Sequence, residues 1–391
     1  MAYIPPHKRN LKDSERSRPT AESLVLRFKR NVILSSDKIV YANNAISKWL
    51  AFGLDDNNQL PSNVHLEPVS VESVGEKPLM LVNSNVIDND EVEGKRWLSI
   101  SENVLPDLLS SFEIWKADKE HKDLEEVMKA TLVARIGKIH FRGSPLVSLE
   151  SVRGNQVTET TLRNLKRSFC TDVHASYMEK IMHEVVPKIG LDFEQKKDIY
   201  HVKLSHSRRP SATISCRCSL REGEAKLELK KVELNKERYM VEDISCLNKS
   251  LDLRLMLCTR RILTSLTAVE TNCIKNLIDS AVLDPGVKGG LRWPMGKLSH
   301  GFGDNKCTVI GVWHTIATTY RSPSVRLKLR SADRFDFRTA TGEATSEVTL
   351  KLKGIASGPQ GQKAETTSIS DMLKEDLKLI WDNFLDHEMK E

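Results

Sequence analysis

The sequence predicts an α+β protein that contains a large antiparallel sheet with packed helices, and three observations lead to this class. Segments with an apolar residue at every second position, typical of half-buried strands, concentrate in the second half of the chain. Segments with apolar residues at helical spacing flank them. Apolar residues make up 39% of the 391 residues and charged residues 29%, which is ordinary globular usage. We therefore expect a disordered basic tail over residues 1–22, an α+β domain over residues 23–190, and an antiparallel β-meander domain with two helices over residues 191–391.

The predicted first domain combines strands and helices. Residues 79–86 and 131–141 read as strands, and residues 102–129 carry apolar side chains at helical spacing. Two further helices are predicted, the first with Leu162, Leu165 and Phe169 on one face and the second running from Tyr177 to Ile189. Pro187 and the glycine at 190 end this region.

In the predicted second domain the apolar period changes to two. Leucines alternate with other residues between Leu251 and Leu257, and Cys216 and Cys218 fall on the apolar face of another strand, which favours core cysteines over a metal site. Thr267 and Glu270 form a capping box for a helix. Further strands are expected over residues 307–355, followed by a last helix capped by Ser368 or Ser370.

The sequence indicates a cytoplasmic and/or nuclear protein with no membrane partner. No run approaches the roughly 20 apolar residues of a spanning helix, and the N-terminus lacks the apolar core of a secretory signal. Seven cysteines, an odd number, are typical of reduced thiols. The net charge of +6 is unevenly distributed, because residues 286–362 carry 12 basic and 5 acidic residues. This distribution admits nucleic acid, phosphorylated ligands or an acidic surface as partners.

The tail contains a short linear motif. It consists of Tyr3, Ile4, Pro5, Pro6, His7 and Arg9, with Lys8 between the last two. The prolines favour an extended backbone at low entropic cost, which is typical of recognition motifs. The segment resembles the Y-[IV]-P-P-H-x-R segment of DEAD-box RNA helicases, which is associated with the cap-binding translation initiation factor. The resemblance implies an RNA or ribonucleoprotein partner, although no helicase motif follows.

The whole chain is similar to a plant family of uncharacterised proteins. The resemblance rests on the opening MAYIPPHKR, on residues 251–258, on residues 289–294 and on Trp381 with the isoleucine before it. It spans nearly the full length and implies no activity.

A glycine-rich loop over residues 285–304 is the second candidate site. Arg292, Trp293 and Lys297, together with His300 and Phe302, are candidates for a surface that stacks bases and contacts phosphate, with a plain hairpin connection as the alternative. The spacing of Gly290, Gly296 and Lys297 differs from that of a phosphate-binding P-loop.

The polar faces of the predicted strands form the third candidate site. Arg326, Lys328 and Arg330 alternate with apolar residues, and so do Lys351 and Lys353. Half-exposed strands alternate in this way without any function. If these faces instead point into a closed barrel, ladders of Glu and Arg or Lys would bind a metal-polyphosphate, as in tunnel-shaped triphosphatases.

We therefore predict a non-catalytic binding or adaptor protein associated with RNA or ribonucleoproteins. One alternative is an enzyme acting on a phosphorylated or polyphosphate substrate in a charged sheet or barrel, and another is a structural module for protein interaction. No catalytic motif is found, so the sequence favours a non-catalytic function, names no catalytic residues, and predicts neither a metal nor a cofactor. It does not decide the oligomeric state.

Overall fold

The computed structural model describes residues 39–52, 64–69, 77–83, 96–120, 126–152, 158–221, 223, 226–234, 237–263, 266–356 and 366–386. The predicted tail over residues 1–22 and its linear motif lie outside these residues. Within them, no helix is long and apolar enough to cross a membrane.

The described elements are mixed α and β, which confirms the predicted class. The strands are β1 (Val40–Phe52), β2 (Val64–Pro68), β3 (Leu79–Asn83), β4 (Glu126–Arg142), β5 (Lys166–Cys170), β6 (Asp192–His206), β7 (Arg209–Leu220), β8 (Leu227–Leu234), β9 (Glu237–Cys246), β10 (Asp252–Leu263), β11 (Val282–Leu283), β12 (Leu291–Arg292), β13 (Ser299–His300), β14 (Cys307–Arg321), β15 (Val325–Asp336) and β16 (Thr341–Leu352). The helices are α1 (Arg96–Glu120), α2 (Leu149–Val152), α3 (Glu159–Asn164), α4 (Ala175–Lys180), which continues through a π-helical turn (Ile181–Val185) into α5 (Val186–Lys188), α6 (Ala268–Asp279), α7 (Lys353–Ala356) and α8 (Thr366–Phe384).

Eight strands of the large sheet close into a ring of antiparallel neighbours. The order is β4, β10, β8, β7, β6, β14, β15, β16 and back to β4. Strand β10 pairs with β4 along its whole length, from Asp252 opposite Gly137 to Leu263 opposite Glu126. At the other edge of β10, Ile262 lies opposite Glu233 of β8. The ring therefore encloses a lumen.

The β8 and β9 strands run in the same direction, because both are antiparallel to β10. They follow one another along the same edge of β10, which differs from the simple meander predicted for this region. Beyond the ring, the other edge of β9 pairs with β1 in parallel.

Two parts of the outer surface of the ring are apolar and covered by helices. Helices α1 and α8 pack over β4, β10, β15 and β16, where the core includes Leu132, Leu255, Leu327 and Leu350. Helix α6 covers β6, β7, β8 and β14 on the other side. Its capping box is confirmed: Thr267 accepts from the Glu270 amide, and the Glu270 carboxylate accepts from the Thr267 amide.

A smaller lobe covers the extension of β4 beyond the ring. Strands β2, β3 and β5 pair with each other or with β4, and α2 and α3 pack beside them. The inner face of this extension is apolar, since Ile139 and Phe141 are fully buried and Phe141 meets Trp49 edge to face at 6.0 Å. Strand β4 lies before residue 190 and pairs with β10 and β16, which lie after it.

Three local predictions are wrong. The helical segment predicted over residues 102–129 is too long, because α1 ends at Glu120 and residues 126–129 belong to β4. Phe169 lies in β5, not in a helix, because its strand pairs with β4 at Ile139. Ser368 and Ser370 lie inside α8, which begins at Thr366, and therefore do not cap it. The prediction that Cys216 and Cys218 are core cysteines is confirmed, since both are buried.

Candidate functional site

The inner face of the ring, which we call the lumen face, is largely polar, and most of its charged residues are basic. Alternation assigns it: Leu327 and Leu329 pack into the outer core, so Arg326, Lys328 and Arg330 point inward. Cross-strand register extends the assignment around the ring. The lumen face comprises Val133, Arg135, Lys197, Ile199, His201, Lys203, Ser215, Arg217, Lys231, Glu233, Arg254, Met256, Trp313, Thr315, Ala317, Thr319, Arg321, Arg326, Lys328, Arg330, Ala332, Arg334, Glu343, Thr345, Glu347, Thr349 and Lys351.

A buried network of charges lies in the middle of this face. The Glu347 carboxylate is 1% exposed and accepts hydrogen bonds from Arg330 and Arg334. Arg334 also donates to Glu343 at 2.9 Å. Burial alone would raise the pKa of Glu347, but the nearby guanidinium groups of Arg330, Arg334 and Arg135 outweigh it and hold that pKa well below its usual range. Glu347 is therefore an ionised carboxylate held among three arginines.

Basic residues lie side by side at the end of the lumen where β14 ends. Arg321, Arg326 and Lys351 are directly opposite one another on β14, β15 and β16, and we call them the basic rung. Lys328 lies opposite Thr349, which in turn lies opposite Arg135. Within the rung, the Arg326 Nε donates to the Glu194 carboxylate at 2.6 Å.

The basic rung places like charges on neighbouring strands, an arrangement that destabilises a sheet. The basic rung is half-buried or exposed, so an anion in solution can reach it. Guanidinium and ammonium groups in this arrangement bind phosphate oxygens through charge-assisted hydrogen bonds.

Aromatic rings lie further along the same face. Trp313 is opposite His201 on β6 and opposite Arg334 on β15, and the Trp313 and His201 ring centroids are 6.5 Å apart. Two cations lie over the indole ring, the Lys203 Nζ at 4.2 Å and the Arg334 Cζ at 5.0 Å from its centroid. The lumen face therefore has an aromatic part and a strongly basic part.

The structure separates the sequence-predicted contact residues into groups. Arg326, Lys328, Arg330 and Lys351 all lie on the lumen face. Lys353 does not: it begins α7, and its Nζ donates to the Ser322 carbonyl at 2.6 Å, in the turn between β14 and β15.

The glycine-rich loop lies outside the ring. Trp293 packs in the core beside α6, with its Nε1 donating to the Leu277 carbonyl at 2.8 Å. The Nε of Arg292 contacts Asp284 at 3.0 Å, and Lys297 is exposed. Trp293 is thus largely structural, while Phe302 at the tip is 94% exposed.

Sequence reasoning missed several lumen residues. The sequence predictions did not include Arg135, Lys203, Trp313, Arg334 and Glu347. Arg135 and Lys203 lie between buried apolar residues, Trp313 and Glu347 each have one such neighbour, and Arg334 has none. Alternation places a residue on the polar face of its strand. It does not reveal that eight polar faces meet.

The sequence matches one known protein family. A profile described as a domain of unknown function, DUF7903, matches residues 34–384. The chain belongs to this family. No curated protein matches the DUF7903 chain.

Solved structures show a weak similarity to the DUF7903 chain. The Pct1 RNA triphosphatase of S. pombe aligns with 12% identity and a TM-score of 0.42, covering 75% of this chain and 93% of that one. The same enzyme in complex with the Spt5 CTD gives 12% identity, a TM-score of 0.41 and the same coverage. The PH1012 protein of Pyrococcus horikoshii OT3 gives 10% identity and a TM-score of 0.24, covering 54% of this chain and 86% of that one. These TM-scores are too low to establish a common fold.

The carboxylates of the lumen face do not form a metal site in the part of the DUF7903 chain that the structure describes. No group of three or more His, Cys, Asp and Glu residues there is placed to hold a metal ion. Glu343 and Glu347 both contact Arg334. The residues that are present fit an anion better than a cation.

Proposed function

We propose that this chain binds a polyphosphate chain inside the lumen of its closed sheet. The observation that carries the proposal is the basic rung, where Arg321, Arg326 and Lys351 lie opposite one another, with Lys328 beside them. Three cations on adjacent strands match a ligand whose negative charges repeat at short intervals. The enclosed position strengthens each contact, because charges in a partly buried site are screened less than at the surface.

The buried network supports the same ligand class. Arg330 and Arg334 already hold one anion, the Glu347 carboxylate, away from solvent. An incoming phosphate next to them meets guanidinium groups that the sheet has already oriented, so little side-chain entropy is lost on binding.

The proposal includes an RNA ligand as one source of the polyphosphate. A 5′-triphosphorylated RNA end presents the same phosphate chain as a free nucleotide, which is compatible with the expectation of an RNA-associated binding protein. Whether the tail adds a ribonucleoprotein partner is a separate proposal. Deleting residues 1–22 and comparing the recovered partners tests it without involving the lumen.

Calorimetric titration with inorganic tripolyphosphate at low salt, in the presence of EDTA, tests the proposal. The Arg326→Gln/Lys351→Gln double variant removes two charges from the basic rung, and we expect its Kd to rise roughly tenfold or more, since each lost contact involves charged partners. The matched control is Lys374→Gln/Lys378→Gln, which removes the same charge from α8 on the outer side and should change Kd less than about twofold.

Two results would overturn the proposal: no binding by the unmodified protein, or an equal loss of affinity in the α8 control. Phosphate release is then measured with Mg²⁺ or Mn²⁺ added. Release that the double variant loses would support the alternative of an enzyme acting on a polyphosphate substrate.

A further inference from the structure

We propose that Trp313 stacks a nucleobase, so that the ligand of the lumen is a nucleoside polyphosphate, free or at the 5′ end of an RNA. This inference rests on the proposed function and names its ligand class. It starts from the position of Trp313, whose neighbours on the lumen face are His201 on β6 and Arg334 on β15. The indole is half-buried, which leaves part of the largest aromatic surface of the lumen open to a ligand.

The surroundings of Trp313 suit a base that carries phosphates. The Lys203 Nζ and the Arg334 Cζ lie 4.2 Å and 5.0 Å from the ring centroid. Cations over an indole are attracted to its ring electrons, and Lys203 can leave this position because its four-carbon stem is flexible. A base that stacks on the ring therefore displaces the ammonium group, which remains close enough to contact a phosphate of the same ligand. The inclined His201 ring, at 59° to the indole, adds a second aromatic wall.

The space between the aromatic and basic parts matches an extended ligand. Along β14 the lumen residues after Trp313 are Thr315, Ala317 and Thr319, all with short side chains, and Ala332 lies opposite Thr315. Ala317 lies four residues after Trp313, or about 13 Å along β14, and is opposite Arg330. A base at Trp313 therefore places its phosphate chain beside Arg330, with the basic rung further along the same face.

A different role for Trp313 makes a different prediction. If the indole only positions Lys203 and Arg334, its removal would weaken the binding of every phosphate ligand to the same degree. Stacking instead requires that the loss be confined to ligands that carry a base.

The test titrates ATP and inorganic tripolyphosphate, in EDTA at low salt, into the unmodified protein, Trp313→Leu and Trp313→Phe. We expect Trp313→Leu to raise the Kd for ATP roughly tenfold or more and the Kd for tripolyphosphate less than about twofold, because stacking on an aromatic ring is lost. Trp313→Phe keeps a ring and should stay within about threefold for both ligands. An equal loss for both ligands in Trp313→Leu, or no loss for ATP, overturns the inference while leaving the proposed function intact. No binding of tripolyphosphate by the unmodified protein overturns the proposed function itself.

Two further measurements complete the design. A 5′-triphosphorylated oligoribonucleotide and its 5′-hydroxyl counterpart are titrated in parallel, and tighter binding of the triphosphorylated RNA than of ATP identifies the RNA end as the source of the ligand. Photocrosslinking of an azido-adenine nucleotide to the unmodified protein tests the site even if Trp313→Leu does not fold. Labelling of the β14 peptide that contains Trp313, removed by excess ATP, supports the inference, and labelling only outside the lumen face overturns it.

Discussion

The carboxylate of Glu347 on β16 lies directly opposite Arg330 on β15 and is almost completely removed from solvent. A buried ion pair is destabilising when one partner is removed, because the other charge remains without compensation. In this protein the remaining charges would be those of Arg330 and Arg334.

Glu347→Ala should therefore lower the free energy of unfolding by about 3–5 kcal/mol. An anion that enters the position left by the carboxylate should restore part of the lost free energy of unfolding. We expect tripolyphosphate to raise the melting temperature of Glu347→Ala by more than it raises that of the unmodified protein. Thermal unfolding with and without the ligand measures this, and Glu179→Ala, an exposed glutamate of α4, is the control. Equal stabilisation of all three proteins would contradict the prediction.

A second buried carboxyl group should make stability depend on pH. Glu242, on β9, is 0% exposed. Burial, together with the nearby Asp107 of α1, raises its pKa from 4.5 to about 9, and the nearby Lys48 opposes this shift. The folded protein therefore binds this proton more tightly than the unfolded chain does. Its contribution to stability is complete below about pH 4.5 and is lost progressively as the pH rises toward 9.

Glu242→Gln mimics the protonated group, so it should stabilise the protein by about 4–5 kcal/mol at pH 8 and by less than about 1 kcal/mol at pH 5. Urea unfolding at the two pH values measures the difference. Glu102→Gln, on the exposed face of α1, should leave the pH dependence unchanged. A Glu242→Gln variant with the same pH dependence as the unmodified protein would show that Glu242 does not titrate in this range.

The capping box of α6 provides a local prediction. Thr267→Ala removes the hydroxyl that accepts from the Glu270 amide at 3.2 Å, and it should lower the free energy of unfolding by about 1 kcal/mol. Urea denaturation measures the loss, with Val269→Ala as the control, because Val269 is 54% exposed and does not cap the helix. An equal loss in both variants would show that the loss does not come from the cap.

A substitution at Gly137 tests the close contact between the ring and the smaller lobe. A Cβ at this position would lie 2.1 Å from the backbone oxygen of Cys170 and 2.7 Å from the Phe169 ring. Backbone cannot move aside as a side chain can, so Gly137→Ala should destabilise the protein by about 1–3 kcal/mol. At Gly286, a Cβ would meet the Asp284 side chain at 3.3 Å, so Gly286→Ala should cost less. Chemical denaturation of both variants checks the order.

Much of the fold could be predicted from the sequence, because periodicity is a local property. The strand through Leu253 and Leu255, the capping box at Thr267 and the buried Cys216 all follow from neighbouring residues. Phe169 was assigned to a helix, since a five-residue strand has too few residues to show its period. The closure of the ring was not predictable, because it depends on β4 pairing with β10 more than 100 positions later in the chain.

The candidate site was predictable in part for the same reason. The apolar Leu327 between them predicts that Arg326 and Lys328 share the polar face of their strand, but not that this face points inward. Trp313 and Glu347 join the site through β14 and β16, and only the order of strands brings their side chains to the lumen. The division of the chain at residue 190 stays a prediction.

The ring of strands limits the shape of any polymer that it can receive. Each of its eight strands pairs with a neighbouring strand of the ring at both edges, β10 and β8 through Ile262 and Glu233, so a strand of RNA laid in from the side would have to separate paired strands. Such a polymer can be threaded only from a free terminus. Covalently circular RNA should therefore be excluded from the lumen whatever its sequence. On the proposed function, the protein would bind an RNA at its end and not along its interior.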